Sequence, residues 1–344
     1  MDQMTITRRG MVGAGCASLA FAATGLLSTR AGHAKMAPSS AIDAVDMHYH
    51  VETDAVRRLP NRRSEAERYP LWTAEDALAH MDRQGILASV ISTRVIGVAP
   101  PRDEAGARAF ARACNEDGAA IVRANPRRFR YFAYMPMPFV QATLDEIGHA
   151  FDTLGAIGIF INTSYSGKWL GHPDFTSVMA ELNRRKAMVF THPAVATCCA
   201  ATVSGLAPAV IEYGTDTTRT IADLIFSGTA SRFPDIRFIF SHAGGTAPFL
   251  FERLEREGHE RPNLPEGVMT PFRRFYFDTA QAANPYALGT LVKLVPPTQI
   301  LFGSDFPFRD PLEQLRAMDG MNLSPALLSA IRHGNARRLI PTLP

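Results

Sequence analysis

Ala44-Val45-Asp46-Met47-His48-Tyr49-His50 reads as a β-strand, apolar at its start and ending in two histidines one residue apart. Side chains alternate along a strand, so His48 and His50 share a face, where two imidazoles can hold one metal ion. The spacing permits a metal site without requiring one, since histidine pairs also close ordinary strands. Seven further runs have similar character: Leu87 to Ser92, Phe129 to Met135, Gly158 to Asn162, Met188 to His192, Arg237 to Ser241, Phe275 to Asp278 and Gln299 to Ser304. Helix-compatible spacing lies between strands, over Ala74 to Arg83, Glu104 to Arg123, Leu144 to Leu154, Phe175 to Arg185, Thr218 to Arg232 and Ala247 to Glu257. Alternating strands and helices predict a parallel sheet, and eight strands predict a (β/α)8 barrel. The longest irregular stretches are Glu52 to Trp72, Tyr165 to Pro173, Pro193 to Asp216 and Gly258 to Arg273, and in a barrel such loops cover the active-site mouth.

The strand ends carry the chemistry. The first strand ends in His48 and His50, the fifth in Thr191-His192-Pro193, the sixth in Ser241-His242-Ala243-Gly244-Gly245 and the eighth in Gly303-Ser304-Asp305-Phe306-Pro307. Barrel enzymes place catalytic groups at the C-terminal ends of several strands. Four histidines and an aspartate converging there predict a metal site.

Composition agrees with an enzyme and excludes other classes. Of the residues, 46% are hydrophobic and 20% charged, and no second long apolar segment follows the N-terminal one. Residues 1–34 contain Thr7-Arg8-Arg9-Gly10-Met11, an uncharged Gly- and Ala-rich stretch and Ala31-Gly32-His33-Ala34. They look like a twin-arginine signal peptide removed on export, which predicts a periplasmic protein with a single barrel domain over 35–344. Arg8, Arg9 and Arg30 against Asp2 account for two of the three net positive charges, so the remaining +1 offers nothing to nucleic acid. Beyond Cys16, the cysteines Cys114, Cys198 and Cys199 are odd in number and lack C-x-x-C spacing, which argues against a disulfide framework.

His48-x-His50, His192, His242 and Asp305 together resemble the amidohydrolase superfamily. The likeness is to its decarboxylating branch, which includes aminocarboxymuconate-semialdehyde decarboxylase and γ-resorcylate decarboxylase. It runs from Val45 to about Leu339 and is densest in Phe233 to Gly245 and Leu301 to Phe308. Asp216-Thr217-Thr218-Arg219 and Ser227-Gly228-Thr229 most resemble the 6-methylsalicylate decarboxylase group. The resemblance implies that His48, His50, His192 and Asp305 bind one divalent metal, with His242 as acid or base. Zinc suits three imidazoles and a carboxylate, and manganese is the alternative. Asp305 is a second candidate for protonating the substrate carbon, and in another route His242 activates a water that adds before carbon dioxide leaves.

Two-metal hydrolases of the superfamily carry a carboxylated lysine or glutamate at the end of strand four, where this chain has Phe160-Ile161-Asn162-Thr163; Lys168 lies too far into the next loop. A single metal and a carbon–carbon lyase acting on a small hydroxylated aromatic or related unsaturated acid are therefore expected. A lactone or amide hydrolase is the rival reading, and a non-catalytic periplasmic binding protein the third.

Arg253, eleven positions after His242, matches an arginine that a related decarboxylase inserts into its neighbour's site, which implies a homodimer. The other reading of Arg253 is a solvated helix face. Arg68 is a second candidate for the substrate carboxylate, Phe306 and Trp169 are candidate walls of an aromatic pocket, and Asp278 is a candidate support for a histidine. His80 and His149 on helices, and His172, His259 and His333 in loops or turns, fall outside the predicted site.

Overall fold

The computed structural model describes residues 43–59, 72–95, 100–196, 205–259 and 261–344. The expected signal over 1–34, Cys16, Arg68, Cys198 and Cys199 lie outside the described residues. Eight parallel strands form the predicted barrel: β1 Ala44–Val51, β2 Ile86–Thr93, β3 Phe129–Tyr134, β4 Gly158–Asn162, β5 Met188–His192, β6 Arg237–Phe240, β7 Tyr276–Asp278 and β8 Ile300–Leu301. The ring closes between β8 and β1. There Met47 N donates to Phe302 O at 2.9 Å, Asp305 N to His48 O at 2.9 Å, and His50 N to Phe306 O at 2.8 Å.

Sequential strands pair because each is followed by a helix that packs back over the sheet, the arrangement that right-handed crossovers favour. Helix Ala74–Gln84 starts where the Thr73 hydroxyl accepts from Asp76 N at 3.0 Å and stops at Gly85, whose φ of 73° continues no right-handed helix. Helix Glu104–Ala124 starts at Asp103, which accepts from Gly106 N at 2.8 Å. Such caps, worth about 1 kcal/mol each, set where the chain leaves the β-period.

Several expected boundaries move. The helix expected over Thr218 to Arg232 begins at Pro208 and runs to Phe226; a second, Thr229–Arg232, follows Gly228, whose φ is 73°. Pro at the first turn starts a helix well, but Val210 and Ile211 in that turn are exposed, so no apolar stripe marks the extension. The stretches read as irregular contain short elements too: helix Met269–Arg274, the antiparallel pair Ser164–Tyr165 with Lys168–Trp169, and helix Asp54–Arg57. His333, expected in a loop or turn, lies in the π-helical turn Ala330–Gly334. No helix among the described residues is long and apolar enough to cross a membrane.

Within the barrel, Phe132, Phe160 and Phe190 form an aromatic floor, with Phe132 and Phe190 stacked at 5.3 Å between centroids. The edge of Phe190 meets His48 at 4.9 Å, so the floor lies directly against the histidines. The register of β1 on β2 shifts between Asp46 and Tyr49, an irregularity of the kind that re-aims side chains beside active sites.

Candidate metal centre

Strand alternation puts His48 and His50 on one face of β1, and the barrel brings His192 from the end of β5 and Asp305 from beyond β8 to meet them. One ligand atom from each of these four buried residues lies within 4.8 Å of all the others. His48 Nε2 is 3.0 Å from His50 Nε2 and 3.2 Å from Asp305 Oδ1, and His50 Nε2 is 3.1 Å from the same oxygen.

The other ring nitrogens determine which way the lone pairs point. His48 Nδ1 donates to Asp278 Oδ2 at 2.7 Å, His192 Nδ1 to the Pro193 carbonyl at 3.1 Å, and His50 Nδ1 faces Ser92 Oγ at 3.1 Å. A carboxylate and a carbonyl only accept, so they hold the proton on Nδ1 and leave Nε2 as a lone pair facing the centre. His192 Nε2 is buried there without a hydrogen-bond partner. Buried acceptors crowded without donors are costly, whereas a cation satisfies all of them at once. The set therefore fits one divalent metal.

Electrostatics point the same way. Burial disfavours a charged His48, but the Asp278 and Asp305 carboxylates outweigh it and push its pKa up to about 10. Burial lowers His50 to about 4, and burial with the neighbouring imidazoles holds His192 well below its usual range. Burial opposes ionisation of Asp305 too, yet His48 and the hydrogen bonds from His242 and His50 keep it well below the usual carboxylate range. The cluster thus draws one positive charge, met by a proton on His48 or by a bound cation.

His242 sits at the rim, 14% exposed, with Nε2 3.4 Å from Asp305 Oδ2. Its backbone N–H is held by Asp278 Oδ1 at 2.9 Å, so Asp278 anchors two of the histidines. His242 and Asp305 have φ of 55° and 66°, conformations costing about 1–3 kcal/mol for residues other than glycine and concentrated at functional sites. Gly303, just before, leaves room that a side chain would fill: a Cβ there would lie 2.8 Å from His48 Cβ.

A scan against protein families matches residues 45–342 to the amidohydrolase family. The chain belongs to that family. Among curated relatives of this amidohydrolase, the 6-methylsalicylic acid decarboxylase of Penicillium expansum is 34% identical over 276 residues, covering 76% of this chain and 84% of the relative. That of Aspergillus aculeatus is 35% identical over 284 residues, with the same coverage of 76% and 84%. The dihydroxybenzoic acid decarboxylase of Polaromonas sp., solved with manganese and the inhibitor 2-nitroresorcinol, superposes with a TM-score of 0.76 at 21% identity, covering 86% of this chain and 96% of that one.

The remaining expected site residues divide. Phe306 lines a cavity of about 440 Å³ beside His50 and stacks on Tyr49 at 4.6 Å. Arg253 is exposed on helix Ala247–Gly258. Trp169 is not among the residues lining that cavity; its Nε1 donates to the buried Asp216 Oδ1 at 2.8 Å, because an indole N–H beside a buried carboxylate is drawn to it. Lys168 pairs with Asp174 in the hairpin. His80, placed outside the site on sequence grounds, lines the same cavity and packs on Phe306 at 4.6 Å, from the helix that links β1 to β2.

Ser92, Gln281 and the pair Glu52 and Arg94 also stand around the cluster and its cavity, beyond the residues expected from the sequence. Ser92 follows from period two on β2, pairing with His50. Gln281, whose amide donates to Asp305 Oδ2, carries no such signal, because it lies in a turn with φ of 54°.

Proposed function

We propose that this amidohydrolase is a metal-dependent, nonoxidative decarboxylase of a small hydroxylated aromatic acid. The observation that carries this is one His-His-His-Asp cluster with an acid–base histidine, His242, on its carboxylate, in a chain a third identical to named decarboxylases. His48, His50, His192 and Asp305 would hold the ion. When bound, a divalent ion supplies positive charge and coordination positions for the substrate carboxylate and a neighbouring hydroxyl.

His242 then holds the proton. It delivers that proton to the ring carbon bearing the carboxylate; the carbon–carbon bond breaks, its electron pair returns to the ring, and carbon dioxide leaves. Asp305 orients the imidazole, and the Phe132, Phe160 and Phe190 floor keeps water from below. A mononuclear hydrolase is the weaker reading, because none of the three relatives reported above is named for hydrolysis.

Zinc is the ion favoured by three imidazoles, whereas the Polaromonas relative was solved with manganese. Metal analysis of protein expressed in unsupplemented medium tests this, and manganese in the purified enzyme would reverse it. We further propose export of the chain to the periplasm through residues 1–34, a single barrel domain over 35–344, and a homodimer in which Arg253 reaches the partner's site. N-terminal sequencing of the exported protein and the mass in solution of wild type and Arg253→Ala test these. The activity itself is tested by carbon dioxide release from salicylates and dihydroxybenzoates. Ester or lactone cleavage without carbon dioxide would overturn it.

A further inference from the structure

The end of β7 supplies no ligand to the cluster, yet residues there hold it from outside. Asp278 accepts from His48 Nδ1 and from the backbone of His242. Gln281, in the turn just beyond, donates its side-chain amide to Asp305 Oδ2. The group facing that oxygen is the NH2 end, because an ionised carboxylate only accepts. The two oxygens of Asp305 are thereby divided. Oδ1 faces His48 Nε2 at 3.2 Å and His50 Nε2 at 3.1 Å, whereas Oδ2 faces the Gln281 amide and, at 3.4 Å, His242 Nε2.

The reach of Gln281 is built into the backbone. Its N–H donates to Gln314 Oε1 at 2.7 Å, and the amide of Gln314, buried on helix Pro311–Asp319, donates to the carbonyl of Ser304, the residue before Asp305. Gln281 and Asp305 are therefore joined twice, directly by their side chains and through Gln314 by their main chains. Both take the left-handed backbone region, with φ of 54° and 66°, a conformation that persists where surrounding bonds over-determine it. Gln281 is itself exposed, so burial does not draw its side chain inward. A bond to an ionised acceptor, stronger than one between neutral groups, offsets the rotamer freedom lost in holding it there.

We propose that Gln281 is a positioning residue that fixes the rotation of the Asp305 carboxylate, so that Oδ1 stays with the histidine ligands and Oδ2 stays with His242. Its effect on metal rests on the cluster alone; its effect on turnover rests on the decarboxylase reading above. A carboxylate needs such a device because the torsion that turns it is broad and roughly two-fold, with no deep preference of its own. His242 is a poor sole anchor. Its contact with Oδ2 is long, and in the proposed reaction it gives up a proton. The Gln281 amide has no proton to give up, so it donates to Oδ2 at every stage of turnover. Partners that orient a ligand in this way act on affinity and on activity without touching either ion or substrate.

The test is Gln281→Met, which keeps the length of the side chain and removes the amide. Competition with a chromophoric chelator, without substrate, should show zinc affinity lowered by about tenfold or more. At saturating metal, kcat for carbon dioxide release should fall by about tenfold while KM stays within about threefold of wild type. The visible absorption of the cobalt-loaded protein, which reports the arrangement of the ligand atoms, should change as Asp305 turns. Circular dichroism confirms that the variant is folded; if it is not, Gln281→Asn, one methylene short of Oδ2, is read by the same criteria. Zinc affinity or kcat within about threefold of wild type, an unchanged cobalt spectrum, or an effect confined to KM would each overturn the proposal, the last because it marks a residue that touches substrate instead. If wild type releases no carbon dioxide from any acid, the decarboxylase reading falls, and affinity and spectrum alone decide the role of Gln281. A wild type that binds no divalent ion would overturn both.

Discussion

Asp278→Asn should strip the centre of metal, although Asp278 is not a ligand. Its two oxygens have separate duties in a fully buried position: Oδ2 accepts His48 Nδ1–H at 2.7 Å, while Oδ1 accepts the backbone N–H of His242 at 2.9 Å and of Ala280 at 3.0 Å. Asparagine has one oxygen, and the two backbone donors claim it. Its NH2 group then faces His48 and must donate, which forces the histidine proton onto Nε2, pointing into the metal position. The reverse amide orientation sets NH2 against two N–H groups. Loss of such an outer partner costs about 10–100-fold in metal affinity, and an inverted tautomer places this variant at the upper end, about 2.7 kcal/mol.

The same reasoning fixes a pH dependence. Burial alone would lower the pKa of His48, but Asp278 and Asp305 push it up to about 10. A metal must therefore displace one proton at neutral pH, and affinity should rise with pH by about tenfold per unit until near that value. His50, lowered to about 4, is already neutral and adds nothing there. Competition with a chromophoric chelator measures affinity, and calorimetry in buffers of differing ionisation enthalpy counts protons. Asp278→Asn with affinity within about threefold of wild type, or wild type releasing no proton near pH 7.5, would refute this account of Asp278.

Three further outcomes are expected. His242→Ala should lower kcat by about 10²-fold or more while metal content stays near one per chain, since its ring packs against His48 and His192 and its Nε2 faces Asp305 without supplying one of the four ligand atoms; loss of metal measured by emission spectrometry would make it a structural residue. Gly303→Ala should cost about 1–3 kcal/mol of stability and weaken metal binding, because the added methyl meets His48 Cβ at 2.8 Å and Asp278 Cβ at 3.0 Å; an unchanged melting temperature would contradict the packing. The metal-free protein should lose stability as pH rises from 6.5 toward 10, since a His48 pKa raised in the folded state stabilises fully below 6.5 and less through about 10. Below about pH 6.5 the lowered His50 and His192 make stability rise with pH, against the Asp46 carboxyl raised to about 7 by burial, so the fall assigned to His48 is read above that range. Scanning calorimetry with and without chelator checks this, and a melting temperature increasing toward pH 10 would refute it.

All eight strands are legible in the sequence because barrel strands are short, β-branched or aromatic, and separated by helices; β4 and β5 begin and end where expected. Helix Pro208–Phe226 was only partly legible, because its exposed Val210 and Ile211 break the apolar stripe by which helices are read. At the site, the i, i+2 spacing of His48 and His50 is visible in one dimension. Gln281, by contrast, reaches Asp305 through a turn whose conformation no spacing encodes.

The sequence by itself determined the strand period, and with it which face of β1 each histidine occupies, because alternation is a local property of the extended chain. Only the tertiary structure decided what those histidines can do. Closure of the ring brings Asp278 against Nδ1 of His48 and strand pairing brings Ser92 against Nδ1 of His50, so tautomer, charge and lone-pair direction depend on residues 230 and 42 positions away. Protons and lone pairs respond to neighbours in space, which the local period of a strand does not specify.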